Sequence, residues 1–480
     1  MRRDRDRSVR IESGIPALLL LSAALVGLPA VSTAQVSLPP AADRPLAIDF
    51  ATDPVLRLRS EAVDSAVFRA TLTALLAAHP TTAEAQARAD EAAALTDEAR
   101  DRIGPSVTAT MQSYRVLARD FDITNPGNLV ERTRPLQRTD ATVQVEQRLF
   151  DAGASIRRLR SARARERAAL ADAERARADL VLAFIAGWHE LASYRALIAV
   201  IDAFLAQEPA MRAAVEQRIA QGASAEIERV QMDALLAQAK ARRARAARGL
   251  ATAEARFRAD TGRDAPPGLA RPPIAAIADG EGAALIAAAG RSPLVDAAVA
   301  RAEAAQEDAR AARADRLPSL SAGVDAGRYG VFERERDYDV RARVTLRAPL
   351  YGAGLRARAD QADARARAAL AQADGTRSDA ARDAAIALAD IAALDQQLTA
   401  LEHAYRAARV SRDAAVARFV GQRGTVNDIA AAEDNLVGAA AAYIQGLGEW
   451  GSARYAVLAQ AGLLVERLGL PRDGERTGNE

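Results

Sequence analysis

The residues that could do chemistry are few, and their spacing is wrong for it. His79, His189 and His403 are the only histidines, and none stands at a metal-ligand interval from a second donor. Cysteine is absent, which removes a disulfide framework, a thiolate zinc site, a cysteine nucleophile and a lipidated N-terminal cysteine. Gly421 and Gly424 lie between helical stretches, without the strand that precedes a phosphate-cradling loop. Carboxylates are abundant but scattered along amphipathic faces, as on a salt-bridged solvent surface. Charge is organised instead by alternation. Arg341, Arg343 and Arg347 fall on one side of an extended segment whose other side is Val340, Ala342, Val344 and Leu346. Such a pattern lines a surface and breaks no bonds. No enzyme, cofactor or metal is expected.

The elements that carry this alternation are set by an unusual composition. In 480 residues, 65 Lys and Arg oppose 63 Asp and Glu, a balance of +2 that gives no reason to expect nucleic acid. Aromatic residues make up only 4 %, too few for several bulky cores. Alanine-rich, charge-rich sequence with few breakers reads as long helices packed closely side by side.

Residues 1–34 read as a signal peptide: arginines at 2, 3, 5, 7 and 10, an apolar run from Ile15 to Leu28, and Ser32-Thr33-Ala34 as the cleavage site. The apolar run is too short to span a bilayer. No later segment reads as a membrane helix, because even Leu180 to Leu205 contains His189, Glu190, Arg195 and Asp202. An exported chain of this kind ends in the periplasm, outside the cell, or in an outer membrane as a β-barrel.

The mature sequence is written twice. Pro80 through Ala109 aligns with Pro293 through Ala322 at a spacing of 213, and Leu149, Gly153, Asp233 and Leu235 align with Leu350, Gly354, Asp434 and Leu436 at 201. The organisation predicted is a first repeat over 35–261 with a β-hairpin at 105–150, and a Pro/Gly-rich linker at 262–282. A second repeat follows over 283–470 with a β-hairpin at 318–350, and then a flexible tail at 471–480.

Each repeat carries a helix of about two dozen residues, two period-two segments and two very long helical stretches. Val143, Val145 and Leu149 oppose Gln144, Glu146 and Arg148, while Leu320, Ala322, Val324 and Ala326 oppose Ser319, Ser321, Gly323 and Asp325. Strands with one apolar and one polar face suit an outer-membrane barrel, with Arg341, Arg343, Arg347, Glu146, Arg148 and Asp325 facing its lumen. The three arginines predict a basic lumen unless Asp325 and Glu146 offset them. Four strands cannot close a barrel, so copies must pool them: two would supply eight strands and three would supply twelve. The helical stretches of about 50 residues are roughly 75 Å long, beyond any ordinary globular core.

Order and duplication of these landmarks resemble the TolC-like outer-membrane efflux proteins, from about Ala62 to Leu464. Leu149-Phe150-Asp151-Ala152-Gly153 and Pro349-Leu350-Tyr351-Gly352-Ala353-Gly354 are similar to the family's strand-to-helix junction. Arg418-Phe419, Thr425, Asp428 and Leu436, and in the first repeat Arg218, Gly222, Glu228 and Leu235, resemble its periplasmic tip. The chain departs from the family at Ala431, where a second acidic residue is often seen, and at Gly424, which is usually basic.

The resemblance implies a mainly α fold with a small transmembrane β part: four strands per chain in a homotrimeric twelve-stranded barrel, continuous with an α-helical tunnel across the periplasm. It implies outer-membrane lipid around the barrel, a periplasmic adaptor (membrane fusion) protein at the tips, and an inner-membrane pump of the RND, MFS or ABC type. Asp428 would form a ring of gate carboxylates with Glu228 as counterpart and Arg423 as the nearest cation, and Gly222, Gly421, Gly424 and Thr425 would meet the adaptor. The function expected is a passive exit duct, most readily for small molecules. The alternatives are the outer-membrane part of type I protein secretion and, in a different class, a periplasmic adaptor or scaffold without a channel.

Overall fold

The computed structural model describes residues 39, 41–42, 44–120, 134–222, 225–333, 337–350, 354–421 and 423–471. The expected signal peptide, most of the expected tail, and Tyr351 of the junction lie outside them. An N-terminal strap leads through a short helix, α1 (Pro54–Arg57), to α2 (Ser65–Ala78) and α3 (Pro80–Asp101). The strands β1 (Ser106–Arg115) and β2 (Gln137–Phe150) follow, then α4 (Ala154–Leu205), α5 (Glu208–Ala220) and α6 (Ile227–Thr261). The second repeat runs α7 (Gly282–Ala289), α8 (Pro293–Ala314), β3 (Ser319–Arg328), β4 (Tyr338–Arg347), α9 (Leu355–Val420), α10 (Val426–Gln460) and α11 (Leu464–Arg467).

Helix boundaries follow local chemistry. Asp64 accepts from the Ala66 N–H at 2.7 Å to start α2, and proline occupies the first turn of α3, α5 and α8, where its missing N–H costs nothing. Pro209 also explains an asymmetry between repeats. It separates α4 from α5, whereas α9 runs unbroken for 66 residues, about 100 Å. Gly153 and Gly354, at φ +82° and +65°, take the left-handed conformation that turns each repeat from strand into helix.

The four strands form one antiparallel sheet in the order β1-β2-β3-β4. Above mid-length the helices lie in the order α3-α4-α8-α9, and below it α6-α4-α10-α9. The sheet and the upper helix layer therefore end on the same two edges, since α3 leads into β1 and β4 leads into α9. Two packed cores support the helices. One gathers Val200, Ile201, Phe204, Leu236, Leu436 and Tyr443. The other gathers Phe68, Leu72, Val181, Ile185, Trp188 and Tyr455, and it also holds Phe184 and Leu191 from the segment Leu180 to Leu205.

Two expectations are refined. The stretches Gly282–Ala314 and Leu355–Val420 do reach the length and mean hydropathy of a membrane span. Their apolar character is largely alanine, however: Ala297, Ala300, Ala304 and Ala311 are buried as α8 packs on α4 and α9. The segment read as a linker is pinned in place. Trp188 Nε1 donates to the Ala270 carbonyl at 2.9 Å, the Tyr455 hydroxyl to that of Pro273 at 2.7 Å, and buried Arg271 to that of Leu58 at 2.6 Å.

Candidate functional site

Cross-strand register decides which side chains share the polar face of the sheet. Ser106, Glu146, Gly323 and Arg343 form one row across all four strands, and Thr108, Gln144, Asp325 and Arg341 form the next. Arg148 opposes Ser321, and Arg347 opposes Ser319. All six residues expected to line a lumen therefore fall on one face. Gly323 makes room there: a Cβ would come within 3.3 Å of the Arg343 side chain, which reaches across to Asp325 at 2.9 Å. Arg341 pairs with Asp339, and Arg347 makes no ion pair among the described residues. The face is thus a mosaic of paired charge more than a basic strip.

The other face is apolar and bare. Val107, Val344 and Leu346 are 66 %, 69 % and 69 % exposed, and Met111, Val143, Val324, Val340 and Phe150 are exposed beside them. Nothing among the described residues covers them. Below the sheet, Asp151 fixes the junction by accepting from the Gly153 and Ser155 N–H groups at 3.0 and 2.8 Å. Burial pushes the Asp151 carboxyl up, but these bonds and the Ser155 hydroxyl outweigh it and hold it below the usual carboxylate range. Pro349 is exposed just after β4.

At the far end, the turn between α9 and α10 is tied to the first repeat. Arg218 donates to the Gly424 carbonyl at 2.9 Å and lies 4.5 Å over the Phe419 ring. Gly424 is packed closely: a Cβ there would meet the Phe419 amide nitrogen at 3.2 Å, so any side chain would require the turn to give by a few tenths of an ångström. Gly421 and Arg423 close the α9 end by donating backbone N–H groups to the Ala417 and Arg418 carbonyls. Gly222, at φ +72°, turns the first hairpin.

Asp428 and Thr425 form a reciprocal capping box on α10. The Thr425 N–H donates to Asp428 Oδ2 at 2.9 Å, and the Asp428 N–H donates to the Thr425 hydroxyl at 3.2 Å. The Thr425 N–H and the Thr425 hydroxyl, which also donates to Oδ2 at 3.0 Å, and then Arg418, hold the exposed Asp428 carboxyl below its ordinary range. Among the described residues the cation acting on Asp428 is thus Arg418, and Arg423 forms no ion pair with it. Glu228 sits in the first turn of α6.

The sequence reading missed a buried cluster of charge. The Tyr405 hydroxyl donates to Asp53 at 3.0 Å, and Arg409 bridges Asp53 at 3.2 Å and Asp413 at 3.1 Å. Arg412 joins Asp413 at 2.6 Å to Glu433 at 3.0 Å. The same cluster binds the N-terminal strap, through Arg412 to the Pro39 carbonyl at 2.8 Å and the Ala42 N–H to Asp413 at 3.1 Å. Burial pushes the Glu433 carboxyl up despite Arg412, and among the described residues its Oε2 has no hydrogen-bond partner. Burial opposes the charge on Arg412, yet Glu433 and Asp413 more than offset it and raise its pKa. The available signal was Arg409 and Asp413 standing four apart beside Tyr405 and Ala408, where an apolar stripe should continue.

A second buried titratable group is structural. His189 faces Gly451, where a Cβ would come within 2.7 Å of the ring, and burial, then Arg271, push its pKa down to about 3. It is a neutral packing histidine between α4 and α10.

With this geometry in hand, comparison with known proteins is informative. Residues 285–463 match the model of the outer membrane efflux protein family. No curated protein matches the chain in sequence. Among solved structures, a membrane protein from Pseudomonas aeruginosa is 24 % identical with a TM-score of 0.72, over 88 % of this chain and 94 % of that one. The outer membrane protein VceC from Vibrio cholerae is 20 % identical with a TM-score of 0.71, over 83 % and 96 %. The MtrE outer membrane channel of Neisseria gonorrhoeae, in its open state, is 18 % identical with a TM-score of 0.69, over 83 % and 89 %. The likeness read from the sequence is therefore found again in the second repeat and in the fold of both repeats. The outer membrane is the location named in the description of this family.

Proposed function

We propose, for a chain whose second repeat is that of the outer membrane efflux protein family, that three copies assemble into the exit duct of a tripartite export system. The observation that carries this reading is a sheet with two unpaired edges and an uncovered apolar face. Among the described residues β1 pairs only with β2, and β4 only with β3. In lipid, open edges leave backbone groups unsatisfied, at several kcal/mol each. Neighbouring copies satisfy them, β4 of one meeting β1 of the next, and α9 then meets α3 by the same rotation. Three copies supply twelve strands, a barrel wide enough for a passage.

In this reading the mosaic of Arg343, Asp325, Arg341, Glu146, Arg148 and Arg347 lines the membrane pore. The duct does no chemistry: cargo moves down a gradient made by an inner-membrane pump, RND, MFS or ABC in type. A periplasmic adaptor meets the tips around Gly222, Gly421, Gly424 and Thr425. Asp428 offers its second carboxylate oxygen to the passage while the first caps the helix, and Glu228 and Arg423 complete the narrowing. A ring of such carboxylates favours cations by Coulomb attraction.

Quaternary state in detergent is the deciding measurement. Three chains per particle, recovered from outer-membrane fractions only with detergent, are expected; a soluble periplasmic monomer would overturn the duct. Small-molecule cargo is tested by deletion, which should raise intracellular accumulation of toxic solutes. Unchanged accumulation with loss of a secreted polypeptide would move the reading to type I secretion.

A further inference from the structure

The α4–α8 seam has two exposed faces of different character. On one, Arg158, Arg165 and Asp172 of α4 recur every seven residues and each meets an opposite charge on α8 or at its C-cap. Arg158 reaches Asp315 at 2.6 Å, Arg165 pairs with Asp308, and Asp172 pairs with Arg301. On the other, Ile156, Arg160, Arg163, Arg167, Leu170 and Glu174 step by three and four. Continued down α4, this second stripe becomes Val181, Ile185 and Trp188, which are buried in one core with Phe68 and Leu72 of α2. A wall around an open passage carries its covering elements on the outside. The stripe with Arg160 and Arg163 is therefore the outer surface, and the ion-paired stripe faces the passage.

On that outer surface lies a groove of about 410 Å³, lined by Arg160, Arg163 and Arg167 of α4 and by Glu303, Glu307 and Arg310 of α8. Its acids are already taken. Glu303 is held by Arg167 at 2.5 Å, and Glu307 by Arg157 at 3.2 Å and by Arg310. Arg160 and Arg163 are exposed and form no ion pair among the described residues. The groove lies inside one chain, away from the α3 and α9 edges, so assembly does not cover it.

Depth supplies the ligand. Leu149 and Phe150 are 56 % and 57 % exposed at the lower end of β2, marking the edge of the hydrocarbon, and Ile156 is 51 % exposed just beneath. Arg160 and Arg163 then follow about 9 and 14 Å along α4 from its first residue. A headgroup layer extends roughly 5–8 Å from the hydrocarbon, within reach of arginine side chains that snorkel upward. We propose that this groove binds an anionic phospholipid of the periplasmic leaflet, its phosphate held between Arg160 and Arg163. Planar guanidinium groups match phosphate oxygens two at a time, and the paired acids on α8 keep the flanking arginines from collapsing into the gap.

The inference rests on the outer-membrane placement of the sheet. Recovery in the soluble fraction would remove that placement, whereas the following test, on membrane-extracted protein, bears on the groove alone. The full chain in zwitterionic detergent is titrated with phosphatidylglycerol, phosphatidylcholine or inorganic phosphate, reading the thermal midpoint and the lipid phosphorus retained after washing. Phosphatidylglycerol should raise the midpoint and be retained, and R160Q/R163Q should weaken that binding roughly 10- to 30-fold. R160K/R163K should restore much of it, and R158Q/R165Q, on the opposite stripe, should leave it unchanged. Equal protection by phosphatidylcholine or by inorganic phosphate, or an unaltered response in R160Q/R163Q, would overturn the proposal.

Discussion

Arg412 and Glu433 meet at 3.0 Å with both side chains almost wholly out of solvent, one on α9 and the other on α10, five residues beyond Asp428. The pair joins the two helices of the second hairpin at the level where the N-terminal strap crosses them. Breaking a buried ion pair from one side leaves an uncompensated charge, at about 3–5 kcal/mol. Arg412→Met should therefore lower the thermal midpoint markedly and release the strap to protease near Ala42. A midpoint within a degree of wild type would show that the cluster holds nothing.

Glu433→Gln tests the same cluster through pH. The raised carboxyl pKa means that the native state binds a proton more readily than the unfolded chain. Its contribution is fully present below the ordinary glutamate value of 4.5 and is lost as pH rises through the raised native value. Wild type should lose stability relative to Glu433→Gln as pH rises above the ordinary value of 4.5. Parallel midpoint curves for the two proteins would contradict this.

Capping and gating at Asp428 can be separated. Thr425→Ala removes the box but keeps the carboxylate, whereas Asp428→Ala removes both. Each should cost about 1 kcal/mol at the start of α10, visible as faster amide exchange over the first turn. In planar bilayers only Asp428→Ala should relieve block by multivalent cations. Relief in both variants would make the effect one of helix fraying and remove Asp428 from the constriction.

Arg218 predicts coupling between the two hairpin tips. Arg218→Ala removes its bond to the Gly424 carbonyl and its stacking on Phe419, so amide exchange over 421–425 should quicken several-fold while the sheet is untouched. Arg218→Lys should rescue only part of it, because a lysine cannot present a planar group to the ring. Unchanged exchange in Arg218→Ala would mean that the tips are independent.

Substitutions on the two faces of β4 should behave oppositely. Val344→Arg puts a charge on the lipid side, at about 2–4 kcal/mol near the bilayer midplane, and should deplete assembled particles from the outer membrane. Arg343→Gln leaves the lipid side intact and should change reversal potential without changing assembly. Equal assembly defects would argue that both faces are wet.

Much of this architecture was legible from one sequence because its signals are local. A strand buried on one side must alternate every residue, so Val340 to Leu346 announce a face without any knowledge of neighbours. A long helix needs only the absence of breakers, and the duplicated Gly153 and Gly354 mark positions where the backbone must turn left-handed. Tertiary structure alone decided which charges meet. Register across β2 and β3 brings Glu146 into line with Gly323 and Arg343, and the chain fold carries Asp53 to Arg409 and Arg218 to Gly424. Periodicity records whether a side chain faces water or neighbours, not which neighbour it meets. Partners hundreds of residues apart leave no trace in spacing, since one slipped turn of an alanine-rich helix preserves the pattern and changes every pair.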